Sequence, residues 1–258
     1  MHMKKNEKAI EELLTRAVEE VIVREHLEKR IRAGEKLRVK LGIDPTGPHL
    51  HIGHAVPLLK LRQFQRLGHQ IVLIIGDFTS CIGDPTGKNE SRKVLTKAQV
   101  TENMKTYLAQ IGKLLDVKQI EVRYNGEWFY TMSPIQLLEI ASQFTVQRVL
   151  ERDDFQKRLK ADQDISALEI LYPLFQGYDS VMIKADVEIG GTDQKFNVLF
   201  GRRVQRRFGQ SEQDVMTMRL LVDPTGKKMG KTEGNMIMLE DAPEEMYAKV
   251  MAWGDGMI

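Results

Sequence analysis

Residues 37–54 read LRVKLGIDPTGPHLHIGH, and they predict a strand, a tight loop and the first turn of a helix. The strand is indicated by apolar residues at alternate positions, namely Leu37, Val39, Leu41 and Ile43. The DPTGP that follows at 44–48 is typical of a loop. Apolar spacing of three to four residues then predicts a helix over about 52–67, ending at Gly68. Strand, loop and helix in this order form the repeating unit of an α/β fold.

Further strands and helices are predicted on both sides of this unit. Residues 71–75, IVLII, are continuously apolar, as expected of a buried parallel strand. Additional strands are predicted at 120–124, 184–189 and 216–222. Helices are predicted at 6–33, 96–116, 192–208 and from 241 onward, with two or three more between 133 and 182. The order predicts a doubly wound, Rossmann-like parallel sheet with a helical insertion near 125–182.

The composition excludes several classes of protein. The 258 residues carry a formal net charge of +2, which is not the charge excess of a dedicated nucleic-acid binder. One cysteine, Cys81, excludes an internal disulfide framework and fits a reducing compartment. The N-terminus lacks the apolar core of a signal peptide, and the longest apolar run is strand-sized. We therefore expect a cytoplasmic protein that does not enter a membrane.

Residues 44–54 have the chemistry of a phosphate site. They follow a strand at its carboxyl end, where open α/β sheets bind ligands, and the helix N-terminus offers N–H groups to an anion. Gly53 lets a nucleotide approach the backbone, and His51 and His54 can donate hydrogen bonds to phosphate oxygens. A zinc pair, or simply two surface histidines, is the alternative. With no cysteine or carboxylate at ligand spacing nearby, we expect no metal site.

A second loop of interest follows the last predicted strand. Residues 223–234, DPTGKKMGKTEG, hold three lysines and three glycines, which suits a loop that closes on a polyanion. Alone, such a loop is more often simply solvated. The pair HIGH and KMGKT, however, resembles the two signatures of the class I aminoacyl-tRNA synthetases, between which ATP binds. The second departs from the common KMSKS form at Gly230 and Thr232.

Residues 172–179, YPLFQGYD, indicate which amino acid would be activated. On a helix, Tyr172, Gln176 and Asp179 stand at i, i+4 and i+7 and so share one face. That face is polar where a core helix would be apolar, although an interface helix could carry the same residues. Asp179 is informative because a phenol hydroxyl needs a fixed acceptor, and an analogue without the hydroxyl leaves that acceptor unpaired.

The sequence closely resembles the tyrosyl-tRNA synthetases of bacterial type. Residues 188–194 (EIGGTDQ) and 82–88 (IGDPTGK) join the three motifs above, so five motifs stand in family order from about Leu37 to the chain end. The resemblance implies ATP-dependent activation of L-tyrosine to tyrosyl-adenylate, then transfer to the 3′ end of tRNA(Tyr), with Mg²⁺ accompanying ATP. It implies an N-terminal helical segment at 1–35, a catalytic domain at 36–238 and the start of a C-terminal helical domain at 239–258.

The resemblance also implies roles for single residues. Asp179 would accept the tyrosine hydroxyl. The ammonium would be held by Tyr172, Gln176 and Asp84. Gln194 would lie near the carboxylate, and Gly42 would line the pocket. Asp44 would line the nucleotide site, Gly53 would lie under the adenosine, and Gly191 and Asp193 would contact the ribose. The residues that would face or clamp the ATP phosphates are Thr46, His51, His54, Lys88, Arg92, Lys228 and Lys231.

Two positions depart from the family pattern. Many members carry a tyrosine where this chain has Lys40, as a second partner for the substrate hydroxyl. The lysine ammonium could donate to the phenol oxygen or point away. Position 188 is Glu where some relatives have Gln, which could add negative charge near the substrate amine.

Several alternatives and partners remain at this stage. A tryptophanyl-type synthetase or another nucleotidyl transferase is the competing enzyme, and an RNA-binding relative is the competing non-enzyme. Arginines at 202, 203, 206 and 207 could touch RNA, but a solvated helix face is the simpler interpretation. The family is usually homodimeric. The chain is expected to be a catalytic core without the anticodon-binding parts and to charge tRNA inefficiently.

Overall fold

The computed structural model describes residues 7–86, 95–223, 226, 229 and 236–253. The strands are β1 (Val18–Ile22), β2 (Arg38–Ile43), β3 (Gln70–Ile75), β4 (Glu121–Tyr124), β5 (Val187–Gly191) and β6 (Asp214–Met218). The first helices are α1 (Glu7–Thr15), α2 (Arg24–Ala33), α3 (Ile52–Arg66), α4 (Lys97–Met104), α5 (Tyr107–Gly112) and α6 (Gly126–Phe129). The remaining helices are α7 (Pro134–Ser142), α8 (Val146–Val149), α9 (Asp153–Lys160), α10 (Ala167–Ile183), α11 (Lys195–Arg207) and α12 (Pro243–Met251). Short 3-10 turns occupy Thr79–Cys81, Val117–Gln119 and Thr192–Gln194.

The six strands form one sheet in the order β1-β6-β5-β2-β3-β4, in which every pair is parallel except β1 with β6. From β2 the chain builds β3 and β4 on one side and then returns to build β5 and β6 on the other. The strand order therefore reverses between β2 and β5. Open α/β sheets bind ligands in the crevice at the carboxyl ends of the strands at such a point. The predicted doubly wound fold is confirmed.

Both faces of the sheet are covered, as the alternating side chains of β3 demonstrate. Ile71, Leu73 and Ile75 belong to a core shared with α1, α2 and α3. Val72 and Ile74 belong to a second core shared with α6 and α10. A central strand that is buried on both faces has no polar side, which explains why residues 71–75 are apolar without interruption. Among the described residues, no helix is both long enough and apolar enough to cross a membrane.

The N-terminal segment departs most from the prediction. A single helix over residues 6–33 is wrong, because this segment contains α1, the edge strand β1 and α2. Ala17 and Val23, on either side of β1, have left-handed backbones with φ of 56° and 61°, which a continuous helix excludes. Residues 18–22 pair antiparallel with β6, with Val21 opposite Met216. This tertiary pairing overrides the helical spacing of the local sequence.

Val23 offers a direct test of this backbone conformation. A left-handed conformation costs an L-residue roughly 1–2 kcal/mol, and asparagine tolerates it better than a β-branched residue does. Because the Val23 side chain is largely exposed, Val23→Asn removes little packing. We expect the variant to raise the free energy of unfolding by about 0.5–1 kcal/mol in a urea titration. Glu25→Asn in α2 is the control and is expected to leave the free energy unchanged or slightly lower.

Other elements lie near their predicted positions, with three corrections. The helix predicted at 96–116 is two helices, α4 and α5, because α5 turns so that Tyr107 and Gln110 can donate hydrogen bonds to the carbonyls of Gly47 and Pro48. Four helices, α7 to α10, lie where two or three were predicted between 133 and 182. Strands β5 and β6 are shifted from 184–189 and 216–222, because their mutual pairing sets the register. The predicted start of α7 is confirmed by the capping box of Ser133.

Candidate active site

The helix α10 turns three polar side chains toward different parts of the sheet. The hydroxyl of Tyr172 donates to Oδ2 of Asp44 just beyond β2, at 3.0 Å. Nε2 of Gln176 donates to Oε1 of Glu188 on β5, at 3.2 Å. Asp179 faces the segment after β4. The shared face predicted from the spacing of these residues is therefore the face that lies against the sheet and the segments that follow β2 and β4.

Asp179 is a buried carboxylate whose orientation is fixed by two donors. Nε1 of Trp128 donates to Oδ1 at 3.0 Å, and Nδ2 of Asn125 donates to Oδ2 at 3.2 Å. Burial raises the pKa of Asp179 to about 7, although the charge of Lys40 and these two donors act in the opposite direction. Sequence reasoning missed Asn125 and Trp128. The signal available was their position, since Asn125 directly follows the predicted strand at 120–124.

Asp44 occupies the corner where β2 ends and is held from two sides. Its Oδ1 accepts from the Thr79 hydroxyl at 2.7 Å, and its Oδ2 accepts from Tyr172. Burial, with the neighbouring carboxylates, raises the pKa of Tyr172 well above its ordinary value, so the phenol stays a donor. A Cβ added to Gly76 would overlap both Oδ1 of Asp44 and Oγ1 of Thr79. The corner therefore requires a residue without a side chain at position 76.

Gly76→Ala tests whether this corner belongs to a ligand site. The added methyl must displace the Asp44 carboxylate, which would release Tyr172 and Thr79 together. For the ATP and tyrosine that the resemblance implies as substrates, we expect KM to rise at least tenfold, on the scale of one lost hydrogen bond to a charged group. The measurement is steady-state pyrophosphate exchange. Gly112→Ala is the matched control, since a Cβ there makes only ordinary contacts with Val117, and unchanged KM values for the Gly76 variant would contradict the assignment.

Asp84, on the loop after β3, is the centre of a second polar cluster. Its Oδ1 accepts from the backbone and hydroxyl of Thr86 at 3.0 and 2.6 Å, and its Oδ2 accepts from Nε2 of Gln194 at 2.6 Å. Nη1 of the buried Arg152 donates to Oδ1 of Asn197 at 2.7 Å, and Nη2 donates to the Thr86 hydroxyl at 2.9 Å. The structure thus brings Asp84 and Gln194 into direct contact. Arg152 and Asn197 had no motif that could reveal them.

The surface of the sheet between these two clusters is uncovered because residue 42 is a glycine. Lys40, Gly42 and Asp44 alternate along β2 and its continuation and so project from the same face of the sheet. A Cβ built on Gly42 would meet nothing within 4 Å. The missing side chain leaves space between the two charged residues, beneath α10. An aromatic amino acid placed there would have carboxylates on more than one side.

Lys40 does not point toward the open space over Gly42. It is fully buried, and its Nζ donates to Oγ of Ser180 at 2.8 Å and to the carbonyl oxygen of Gln176 at 2.9 Å. It also lies 2.9 Å from Oε1 of Glu188, which is buried in β5. Of the two alternatives for Lys40, the structure therefore has the side chain turned away. It also corrects the turn predicted to begin at 188, because Glu188 lies within β5.

The two histidines of the HIGH stretch cap helix α3. Nδ1 of His51 accepts from the backbone N–H of Gly53 at 3.1 Å, and Nδ1 of His54 accepts from the backbone N–H of His51 at 3.2 Å. Both Nδ1 atoms act as acceptors, so the ring proton of each neutral imidazole is on Nε2. The rings are tilted with centroids 4.0 Å apart. Each ring thus carries an Nε2–H donor at a helix N-terminus, which is the arrangement that suits a phosphate.

The segment after the lysine-rich loop lies directly against the HIGH stretch. The backbone N–H of Ile52 donates to the carbonyl of Ile237, and that of Leu239 donates to the carbonyl of Leu50, both at 2.9 Å. Gly191 and Asp193 lie at the carboxyl end of β5, and Thr46 is exposed in the loop after β2. Four residues predicted to clamp the phosphates lie outside the described residues, namely Lys88, Arg92, Lys228 and Lys231.

Two arginines of the basic cluster at 202–207 share one structural partner. Arg202 lies 2.9 Å from Oε2 of Glu212, and Arg206 contacts the same carboxylate, which agrees with the solvated-face interpretation of this cluster. Within the described part of the chain, no three His, Cys, Asp or Glu side chains are grouped so that they could hold a metal ion.

Comparison with known proteins agrees with this geometry. The family described as tRNA synthetases class I (W and Y) matches residues 32–255. A tyrosine–tRNA ligase of Thermotoga maritima is 55% identical over 247 residues, and one of Thiobacillus denitrificans is 50% identical over 253 residues. These matches cover 95% and 98% of this chain but 62% and 64% of the relatives, so the chain spans less than two thirds of their length.

A solved structure gives the same result for the fold. The crystal structure of a tyrosyl-tRNA synthetase complexed with L-tyrosine from Archaeoglobus fulgidus is similar with a TM-score of 0.78 at 25% identity. The similarity covers 96% of this chain and 74% of that one. Because the family match extends over most of the chain and includes residues 44–54 and 172–194, the chain belongs to the class I tRNA synthetase family (W and Y).

Proposed function

We propose that this chain activates L-tyrosine with ATP and, as a tyrosine–tRNA ligase, transfers it to the 3′ end of tRNA(Tyr). The observation that carries the proposal is the buried Asp179, fixed by Trp128 and Asn125 beneath α10. A carboxylate held in this way is a ready acceptor for a phenol hydroxyl. The relatives named above are tyrosine–tRNA ligases, which further supports tyrosine as the substrate.

In the first step the tyrosine carboxylate attacks the α-phosphorus of ATP, which enters with Mg²⁺ as part of the substrate. A P–O bond to tyrosine forms, the bond to pyrophosphate breaks, and pyrophosphate leaves with its electron pair. A carboxylate is already a nucleophile, so no general base is required. The barrier is the crowding of negative charge in the transition state, against which positioned donors act. The Nε2–H groups of His51 and His54 are such donors.

The polar residues around the space over Gly42 are proposed to bind the remaining groups of the substrates. Asp84, Tyr172 and Gln176 surround the place for the ammonium, and Gln194, bound to Asp84, adjoins the carboxylate. Thr46, Asp44, Gly53, Gly191 and Asp193 lie around the strand ends, where the nucleotide would bind. Lys88, Arg92, Lys228 and Lys231 are assigned to the pyrophosphate on the strength of their motifs alone.

The second step and the assembly complete the proposal. Transfer to tRNA(Tyr) follows if the adenylate is accessible to the terminal hydroxyl. A homodimer is supported by the apolar side chains exposed on α7 and α8, where Ile135 and Leu138 are both 62% exposed and Val146 is 55% exposed. We propose a catalytic domain at 36–238, joined by the segment at 1–35 and followed by the start of a helical domain at 239–258. The cytoplasm is the proposed compartment.

Pyrophosphate exchange with tyrosine, tryptophan and phenylalanine tests the proposed substrate. Exchange with tyrosine alone is expected, because a phenyl ring would leave the buried Asp179 carboxylate unpaired, and an indole would not place its N–H where the phenol places its hydroxyl. Exchange with tryptophan would favour the tryptophanyl-type alternative. No exchange with any amino acid would contradict an activating enzyme and favour an RNA-binding role.

A further inference from the structure

A buried polar network lies between α10 and the sheet, directly behind Gln176. Lys40 and Glu188 are cross-strand neighbours on β2 and β5, and their side chains are 0% and 1% exposed. Nζ of Lys40 lies 2.9 Å from Oε1 of Glu188. Two opposite charges buried this completely are costly to desolvate, and such a pair is weak evidence for stability alone. A role in fixing the geometry of neighbouring groups is the alternative.

Every donor of the Lys40 ammonium has a partner within this network. An ammonium has three N–H donors. They are directed to Glu188, to the carbonyl of Gln176 and to the hydroxyl of Ser180, all within 2.9 Å of Nζ. Lys40 thus has no donor left for a substrate hydroxyl, and its positive charge serves to hold the Glu188 carboxylate.

The Glu188 carboxylate in turn accepts four contacts. Oε1 accepts from Lys40 and from Nε2 of Gln176, and Oε2 accepts from the Ser180 hydroxyl at 3.2 Å and from Nε2 of Gln213. An ionised carboxylate can only accept hydrogen bonds. Gln176 must therefore turn the NH₂ of its amide toward Glu188. Its Oε1 is consequently directed away from Glu188 and is an acceptor.

A glycine allows the neighbouring helix to close over the network. A Cβ added to Gly201 of α11 would lie 2.8 Å from Nε2 of Gln213 and 3.2 Å from Oε2 of Glu188. The helices α10 and α11 pack closely here, which leaves the network no room to rearrange. The orientation of the Gln176 amide is therefore fixed before a ligand binds.

We propose that Glu188, held by Lys40, is a positioning residue that fixes the Gln176 amide oxygen as an acceptor for the ammonium of the substrate amino acid. The proposal rests on the proposed function, because it concerns the same site. The pair determines how well the ammonium is recognised, whereas Asp179 determines recognition of the hydroxyl.

The decisive variant is the double substitution Lys40→Met/Glu188→Met. It removes both charges at similar volume and leaves the Gln176 amide free to rotate. Binding of L-tyrosine and of 3-(4-hydroxyphenyl)propionate, which lacks the amine, is measured by calorimetry. We expect the preference for tyrosine over this analogue to fall roughly ten- to a hundredfold, the effect of losing one hydrogen bond to a charged group. Removing the Lys40 charge also raises the pKa of Asp179, so both preferences are measured at about pH 8.5, where the Asp179 carboxylate is charged. The preference for tyrosine over phenylalanine is then expected to change less than about threefold, since the Asp179 side chain is retained.

Two further variants separate positioning from simple destabilisation. Arg158→Met/Glu169→Met removes another buried ion pair that involves α10, in which Nη1 and Oε1 are 2.7 Å apart. This variant is expected to keep the full preference for tyrosine over the analogue without the amine. Lys40→Met/Glu188→Gln keeps polar partners for Ser180 and Gln213 and so guards against failure to fold. A glutamine at position 188 can present either its oxygen or its NH₂ to Gln176, so an intermediate loss is expected.

The outcomes distinguish the inference from the function on which it rests. If the unmodified protein does not prefer tyrosine to phenylalanine, the proposed function fails. If it does, but the folded Lys40/Glu188 variants keep the full preference for the amine, the positioning role is overturned. An equal loss in the Arg158/Glu169 variant would also overturn it, because any broken ion pair would then have the same effect.

Discussion

Asp179→Ala is expected to remove the proposed preference for tyrosine over phenylalanine. The substitution deletes the carboxylate that would accept the substrate hydroxyl, and it leaves Nε1 of Trp128 and Nδ2 of Asn125 without their acceptor. A hydrogen bond to a charged group contributes about 1.5–3 kcal/mol, so kcat/KM for tyrosine should fall by roughly 10- to 150-fold. Phenylalanine has no hydroxyl to lose, and its kcat/KM is expected to stay nearly constant.

Asp179→Asn provides the matched variant, because it keeps the shape and an acceptor oxygen for Trp128 but not the charge. It should lose part of the preference and retain more stability than the alanine variant. A site built to bond a hydroxyl rejects the analogue without it, a rule of which tyrosyl-tRNA synthetases are themselves the standard example. An alanine variant that still selected tyrosine over phenylalanine would show that another residue recognises the hydroxyl.

The raised pKa of Asp179 adds a pH dependence to this prediction. Burial places the pKa at about 7 in the unliganded protein, so the carboxylate is charged above pH 7 and protonated below it. The charged form is the stronger acceptor. Tyrosine affinity should therefore be full above pH 7 and decline as the pH falls through 7, by up to about tenfold per pH unit. Asp179→Asn should show a flat profile over the same range.

His51→Ala is expected to slow adenylate formation by roughly 10²–10³ while tyrosine affinity changes little, the scale for removing one transition-state donor. The same side chain also caps α3 by accepting from Gly53, so its loss should reduce stability by about 1 kcal/mol. Single-turnover formation of the adenylate isolates the chemical step. A urea titration of the same variant measures how much the cap contributes to the free energy of unfolding.

His51→Asn separates the two roles. Asparagine is a good helix cap, because its side-chain oxygen can replace Nδ1 as the acceptor for Gly53. Its amide is shorter than the imidazole and does not extend to the position of Nε2. We therefore expect normal stability with a rate close to that of the alanine variant. Adenylate formation at the parental rate in His51→Asn would show that Nε2 does not donate to the reacting phosphates.

The sequence predicted the centre of the fold well because periodicity is strong there. Residues 37–75 form β2, α3 and β3 close to their predicted limits, and the motif at 172–179 lies on the helix that its spacing required. The polar face of α10 lies where ligands of such sheets bind. These features depend on local pattern and on a general rule of α/β folds, both of which a single sequence contains.

The features that the sequence did not predict depend on contacts between residues that are distant in the chain. The pairing of β1 with β6 joins segments at opposite ends of the chain, and no local pattern at 18–22 reveals it. The same is true of the contacts of Asn125 and Trp128 to Asp179, and of the contact of Arg152 to Thr86. Lys40 could not be assigned from the sequence, since its direction depends on Ser180 in α10 and on Glu188 in the neighbouring strand β5.

The antiparallel strand β1 has a consequence for how the chain acquires its structure. Among the strands of the described residues it is synthesised first and its partner β6 last, so β1 lacks this partner until about residue 218 has been made. Every residue of β6 is buried in the finished protein, and β1 covers its outer edge. An uncovered edge of this kind pairs readily with other chains. Closure of the sheet by its two most distant segments is therefore the step at which nascent copies of this protein are most exposed to aggregation.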